Sequence, residues 1–499
     1  QMSTFQLYNL TQSETIQDFA HYIVSHDSSS LISAIENIEK IISSKESVTS
    51  RFFLDDFINS LTRTKYHRVC DLKTSPQQTF IDLFETIFHI EAKTFLVIEF
   101  ALNKRKSLDI DDSGEMDSFE EKFVDRLESY KRTMKNSLGS LSRDYWKCEK
   151  KGVEYLQLHR LVVGFINNEY YYKGHCFGGC TSNHAYSQQK LPGVEVLCRG
   201  VSYHCKDFGS KVEFCPYNDY IGPKFYNFIS SAEVKHSGMR TCYGNYNKRT
   251  ADGFFSNCQY CYCECADESD FSHRFLSLRE EISDTTNYMV VVGIRFVKIS
   301  IRVIAFQILQ APLLPFGQVN QTLADWKPTE PLDMQTDYGH FYTFGYNNRR
   351  MKMRIVEAQE KDFVVTGIKF VRGQNNLPDI SVRVTKVDMK TGKLLDSTSS
   401  WISNNDQSTK TIDASLTTKS SDCKEESFID TESGDEVVFG PTKWDEDGAQ
   451  NVVPFFDTQA VHLQPMMALA GLGVLHRGST GCGGFIVPAI RTLNDKYFF

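Results

Sequence analysis

No stretch of this 499-residue chain stays apolar for the roughly 20 residues a membrane helix needs. The nearest runs are Phe95–Leu102, interrupted by Glu99, and Met466–Leu475, broken by Gly471 and Gly473. There is no excess of positive charge either: the net charge is −8 and the isoelectric point near 5.9. A nucleic-acid binder needs a basic face to displace counterions from phosphates, so the charge argues against that partner, and it gives no reason to expect attraction to an anionic bilayer. Tryptophan is scarce, at four residues. No His-Glu-x-x-His, Gly-x-Ser-x-Gly or glycine-rich phosphate loop occurs, and the 13 histidines are scattered. No nucleophile–base–orienter set is readable, so the sequence displays no reaction. The opening QMSTFQLYNLT has no secretory leader and reads as a processed start or a cloning remnant.

Cysteine, by contrast, is abundant and unevenly placed. Ten of the 14 lie at 176, 180, 198, 205, 215, 242, 258, 261, 263 and 265. Cys70 and Cys148 precede them, and Cys423 and Cys482 follow. Each group is even and could close on itself, as Cys70–Cys148 and Cys423–Cys482 at the flanks. Zinc is the first alternative, because Cys176-x3-Cys180 and Cys258-x2-Cys261 have acceptable spacing. However, His175, His184 and His204 repeat at no fixed offset. A redox Cys-x-x-Cys is the second, but its flanks, DGFFSN and ADESDFS, do not read as a strand and a helix. Dense, even, irregularly spaced cysteines mark disulfide scaffolds of oxidising compartments, so the expectation is seven bridges in a secreted protein. Within CQYCYCEC, Cys261, Cys263 and Cys265 alternate and would face one side of a strand, where several bridges converge.

The fold expectation is multi-domain α+β: a helical bundle over 1–150, a disulfide-locked segment over 151–275 and an all-β domain over 276–499. Apolar residues recur at three and four from residue 12 to about 137. The strongest helix opens on Ser75-Pro76, a cap with proline at the first position. Another, Phe119–Lys135, follows the capping-box pattern Ser118-x-x-Glu121. A last helix is expected within 138–172. From about 285 β-branched and aromatic residues dominate. Val-Val-x-Gly-Ile-[Arg/Lys]-Phe-Val occurs at Val291–Val297 and again at Val364–Val371, with a fainter third copy at Leu469–Gly478. Repeated strands predict a β-prism or β-sandwich with quasi-symmetry.

The stretches CDLKTSPQQTFIDLFETIFHIEAKTFLVIEF, SRDYWKCEKK, LHRLVVGFINNE, CQYCYCEC, VVTGIKFVRG, SSWISNND, DEDGAQNVVPFFDTQAV and GCGGFIVPAI carry a resemblance. From about Cys70 to the C-terminus the chain resembles a family of arthropod secreted proteins called domain of unknown function 4803. The resemblance implies secretion and an arthropod source, and no activity, cofactor or catalytic residue. The chain departs from it in having GFFSN where the family tends to have tryptophans. It also carries Cys482 in the last glycine-rich turn, which a private Cys423–Cys482 bridge would explain.

Three kinds of site are expected. Asp109, Asp111, Ser113, Glu115, Asp117 and Glu120, with Gly114 at the sixth position, match a twelve-residue calcium loop. Its flanks do not: Lys104, Arg105 and Glu121 stand where such a motif needs apolar residues, so the alternative is an acidic linker. Apart from calcium, no cofactor is expected. Asn9 and Asn320 head glycosylation sequons. Tyr338, His340, Tyr342, Tyr346, Asn347 and Asn348 offer the aromatic faces and amides that bind sugars. The same stretch also reads as an edge hairpin turning at Asn347-Asn348. His273, His340 and the acidic run Asp435, Asp445 and Asp447 read as structural or solvated. The functional expectation is a non-catalytic scaffold or binding protein for a glycan, matrix component or protein. The alternatives are an extracellular enzyme with a site assembled across domains and a haemolymph or storage-type protein.

Overall fold

The computed structural model describes residues 13–25, 27, 30–42, 56–62, 69–108, 113–150, 152–170, 176, 179–180, 185–186, 198–217, 222–231, 247–250, 258–300, 302–404 and 410–493. The chain divides into two compact units, Gln1–Arg143 and Asp144–Phe499.

The first unit is helical, with α1 (Ser13–Val24), α2 (Leu31–Ile42), α3 (Pro76–Lys106) and α4 (Ser113–Leu138). α3 starts where the sequence predicts: Ser75 Oγ accepts the Gln78 amide at 3.1 Å, and Pro76 supplies a helical φ without an orphan N–H. α4 starts five residues before the expected capping box, so Ser118 lies inside a helix rather than at its end. Aromatic side chains fill this unit, among them Phe80, Phe84 and Tyr130. One buried ion pair crosses it. Arg126 Nε and Nη2 hold Glu91 at 3.1 Å, and Tyr130 donates to the same carboxylate.

In the second unit the helix expected within 138–172 is replaced by strands. β1 (Val163–Asn168) is buried on both faces and carries β-branched and aromatic residues, the composition of a central strand. It pairs with β3 (Tyr260–Asp267), which also pairs with β2 (Gly200–Asp207). β3 carries three cysteines of CQYCYCEC. The bridges are Cys176–Cys258, Cys180–Cys261, Cys198–Cys265 and Cys205–Cys263, with Cys423–Cys482 farther along. Cys70, Cys148 and Cys215 are disulfide-bonded as well, and Cys242 lies outside the described residues. Gln450 ties this sheet to the rest of the unit: its Oε1 accepts the Phe225 and Tyr226 amides, and its Nε2 donates to Gly164.

The remainder is built three times over. β4 (Glu281–Ile282) precedes the hairpin β5 (Met289–Ile299)–β6 (Val303–Pro312). β7 (Arg354–Glu357) precedes β8 (Phe363–Arg372)–β9 (Pro378–Asp388). β10 (Val461–His462) precedes β11 (Leu469–Gly478)–β12 (Phe485–Thr492). All three predicted repeat segments, the faint one included, are the first strands of these hairpins. In each, the register shifts just before the same glycine, Gly293, Gly367 or Gly471. Each short strand pairs not with its own hairpin but with another, at that glycine: β4 with β8, β7 with β11 and β10 with β5. The close approach requires glycine, since a Cβ would stand 2.8 Å from the Val461 carbonyl at Gly293 and 2.7 Å from the Glu281 carbonyl at Gly367. The cyclic exchange links three sheets. Val290, Leu309, Val364, Val387, Ala468 and Leu493 meet in one core cluster drawn from all three hairpins. Phe296, Phe306 and Phe370 pack together, with Phe306 and Phe370 stacked at 4.2 Å between centroids.

Candidate functional site

Hairpins on a rigid frame present their loops, and here several loops gather at one end. Leaving β6, the chain makes a short return: Leu313 bridges Val319, and the Leu314 amide donates to Gln318. Three other segments hold this return. The Phe316 amide donates to Met389, just after β9; Ala468 donates to Gly317; and the Tyr288 carbonyl, just before β5, accepts from Leu313. Phe316 crowns the loop with 73 % of its surface exposed, beside Leu314 at 39 % and Tyr288 at 43 %; Leu323, on the following turn, is 57 % exposed. Phe316 and Tyr288 both occupy the left-handed backbone region, at φ 60° and 56°. A bulky side chain there is disfavoured, and glycine or asparagine fits better. An exposed ring gains the fold little. Both rings meet solvent, so neither residue's burial offsets that local cost. Charges flanking these loops carry both signs: Asp284, Asp325 and Asp388 against Lys390 and Lys393.

The residues expected to bind sugar do not share one face. Tyr338 is 77 % exposed, and His340 and Asn347 are exposed too. Tyr342 is fully buried, bonded to Asn348. The turn runs from Gly345 to Asn348 with Tyr346 and Asn347 at its corner, one residue earlier than the sequence suggests. Tyr346 is committed to the disulfide-bonded sheet. Its ring stacks on Tyr203, its hydroxyl donates to Glu264 at 2.9 Å, and Arg349 lies 4.5 Å from its centroid. His204 reaches the same Glu264 oxygen at 3.2 Å. The tryptophans offer no open platform either. Trp326, Trp401 and Trp444 are covered by Arg295, Lys369 and Lys206 at 3.8–4.2 Å, and Trp146 is buried.

Of the calcium set, Asp109 and Asp111 lie outside the described residues, as does Asn9. Ser113, Glu115, Asp117 and Glu120 fall on α4. At 3.6 residues per turn, positions 115 and 117 point about 200° apart, so this half of the motif is not a ligand loop. The acidic run is structural. Asp435 accepts the Lys410 and Glu432 amides, and Asp447, its carboxyl pushed up by burial, accepts from Thr442 and Asn451. Asp445 is exposed on the single helical turn Trp444–Asp447. Asn320 sits next to the aromatic loop. Its Oδ1 accepts from the Thr322 amide and hydroxyl, and its side-chain Nδ2 makes no hydrogen bond among the described residues.

Two histidine arrangements escaped sequence reasoning because their members are far apart in the chain. His476 Nδ1 meets Asp430 at 2.7 Å and Nε2 faces the Gly483 carbonyl at 3.3 Å. A Cβ at Gly484 would stand 2.3 Å from that Nε2, so the glycine lets the backbone pack directly against the ring. His159 and His273 meet edge to face at 4.6 Å, beside Lys298 and Arg302. Burial, and then the neighbouring cations, hold His159 down to about 4 and His273 to about 3. The apolar loop had a legible signal: LLPFG places three large apolar residues within a Pro/Gly turn.

Residues 67–308 match the family described as Domain of unknown function (DUF4803), from before α3 to within β6. No curated protein matches the chain.

Proposed function

We propose that this chain, a DUF4803 family member over residues 67–308, is a secreted, non-catalytic binding protein that docks a partner protein through the Tyr288–Leu314–Phe316–Leu323 end of its three-hairpin domain. The observation that carries this reading is Phe316: strained, mostly exposed, and set in a short return that is hydrogen-bonded to three other segments. Apolar anchors on a preformed frame bind without a large ordering cost, and aromatic residues dominate interface energetics. A protein surface fits these loops better than a bilayer, because the flanking charges are mixed and the chain is acidic. Secretion rests on the disulfides, which persist in oxidising compartments, and on the lack of any membrane-spanning helix among the described residues.

The test is saturable binding of labelled protein to the matrix and fluid around the cells that secrete it. Leu314→Asp and Phe316→Asp should each weaken binding at least tenfold. Asn375→Asp, on the turn between β8 and β9, should leave it unchanged. Equal binding by all three variants would remove the loops from the reading.

A further inference from the structure

The helical unit contains a cavity of about 260 Å³. Its floor is apolar and comes from all four long helices: Val24, Ile35, Ile98, Leu102 and Phe119 are all buried. Its rim is polar and solvated, with Glu115 and Ser118 on α4 and Lys122 facing Glu36 at 3.9 Å. Arg126 also lines it, although only 2 % of that side chain is exposed. Two of its nitrogens, Nε and Nη2, are spent on Glu91. The third, Nη1, makes no hydrogen bond among the described residues. A guanidinium needs acceptors for all its N–H groups once it leaves bulk water, and an apolar floor offers none.

We infer that this cavity binds a small uncharged apolar molecule carrying one hydrogen-bond-accepting oxygen, a medium-chain ketone, ester or alcohol, with that oxygen on Arg126 Nη1. Size sets the first limit. An apolar cavity of about 150 Å³ holds benzene, so this one takes roughly ten to fifteen non-hydrogen atoms. Charge sets the second. Glu91 already balances Arg126, Glu36 balances Lys122, and Glu115 adds a further negative charge at the rim. A free carboxylate would enter a site with more acids than bases, whereas a carbonyl satisfies Nη1 without adding charge. The inference concerns the helical unit alone and does not depend on the loops of the other.

Headspace depletion by the whole protein measures this directly, with octan-2-one and octane as volatile probes and octanoate as a competitor. Octan-2-one should bind at least about tenfold more tightly than octane, the worth of one hydrogen bond to a charged donor. Octanoate should compete at least tenfold more weakly than octan-1-ol. Ser118→Trp, a change at the solvated rim, should abolish uptake while leaving the helical circular dichroism intact. Arg126→Lys keeps a cation for Glu91 and should erase the preference for ketone over alkane. Equal uptake of ketone and alkane by the unaltered protein would overturn the role of Arg126. Preference for octanoate would overturn the charge argument, and uptake undisturbed by Ser118→Trp, or none at all, would remove the site.

Discussion

Replacing Phe316 by glycine separates folding from binding, because the terms for folding nearly cancel. The residue sits at φ 60°, ψ 29°. A side chain in that left-handed region costs roughly 1–2 kcal/mol, which glycine relieves. Glycine's looser unfolded chain costs about 0.5–1 kcal/mol. The ring is 73 % exposed. It therefore contributes only about a quarter of the roughly 1.5–3 kcal/mol of a fully buried phenyl group. Stability should stay within about 1 kcal/mol of the parent, while partner binding is lost. Phe306→Ala supplies the contrast. That ring is buried against Phe370 and its removal should cost about 3–5 kcal/mol. Urea unfolding followed by tryptophan fluorescence, without reductant, reads both variants. A loss above about 2 kcal/mol for Phe316→Gly would mean that the ring is part of the fold, and the argument from its exposure would fail.

Burial first, then Lys298 and Arg160, lowers His159 to about 4; burial, then His159 and Lys298, lowers His273 to about 3. Since an unfolded histidine titrates near 6.5, the unfolded chain binds more protons below that pH, so stability is full above about 6.5 and falls as pH drops toward 4. Thermal melts of the double variant His159→Gln/His273→Gln should show a shallower loss over that window, and an unchanged slope would mean that the pair titrates normally. Four bridges of the middle segment close spans of 58 to 82 residues, each restricting the unfolded chain by about 4 kcal/mol. Denatured, unreduced protein should accordingly take up no iodoacetamide by mass, and any labelled cysteine would break that scheme. Asn320 is half-buried and its Nδ2 makes no hydrogen bond among the described residues, so protein from a secreting host should lose one glycan mass in Asn320→Gln; identical masses would show the sequon unused.

What the sequence made legible was local. The Ser75-Pro76 cap and the two strong Val-Val-x-Gly repeats each sit within a dozen residues, and local geometry decides them. The third repeat was faint because β11 replaces the β-branched pattern with Leu469, Gly471 and Gly473, yet it keeps the bulge glycine that lets β7 approach. The strand β1 was hidden because a segment buried on both faces shows no alternation. The calcium spacing matches ligand positions but says nothing of backbone, and α4 runs through half of it. Tyr342 and Tyr346 looked alike in one aromatic stretch. Their fates diverged through distant partners, Glu264 and Tyr203 for one and a buried cluster with Phe344 for the other. LLPFG marks an apolar turn in the sequence, but the exposure and backbone angles of Phe316 are not written in it.

The most direct test places a photo-reactive benzoylphenylalanine at position 316 and, separately, at position 375, and illuminates each protein in the fluid and matrix around its secreting cells. The account predicts a single saturable protein adduct from position 316, suppressed by excess unlabelled parent but not by excess Phe316→Asp, and no such adduct from position 375. Matching adducts from both positions, or competition by Phe316→Asp as effective as that by the parent, would contradict it.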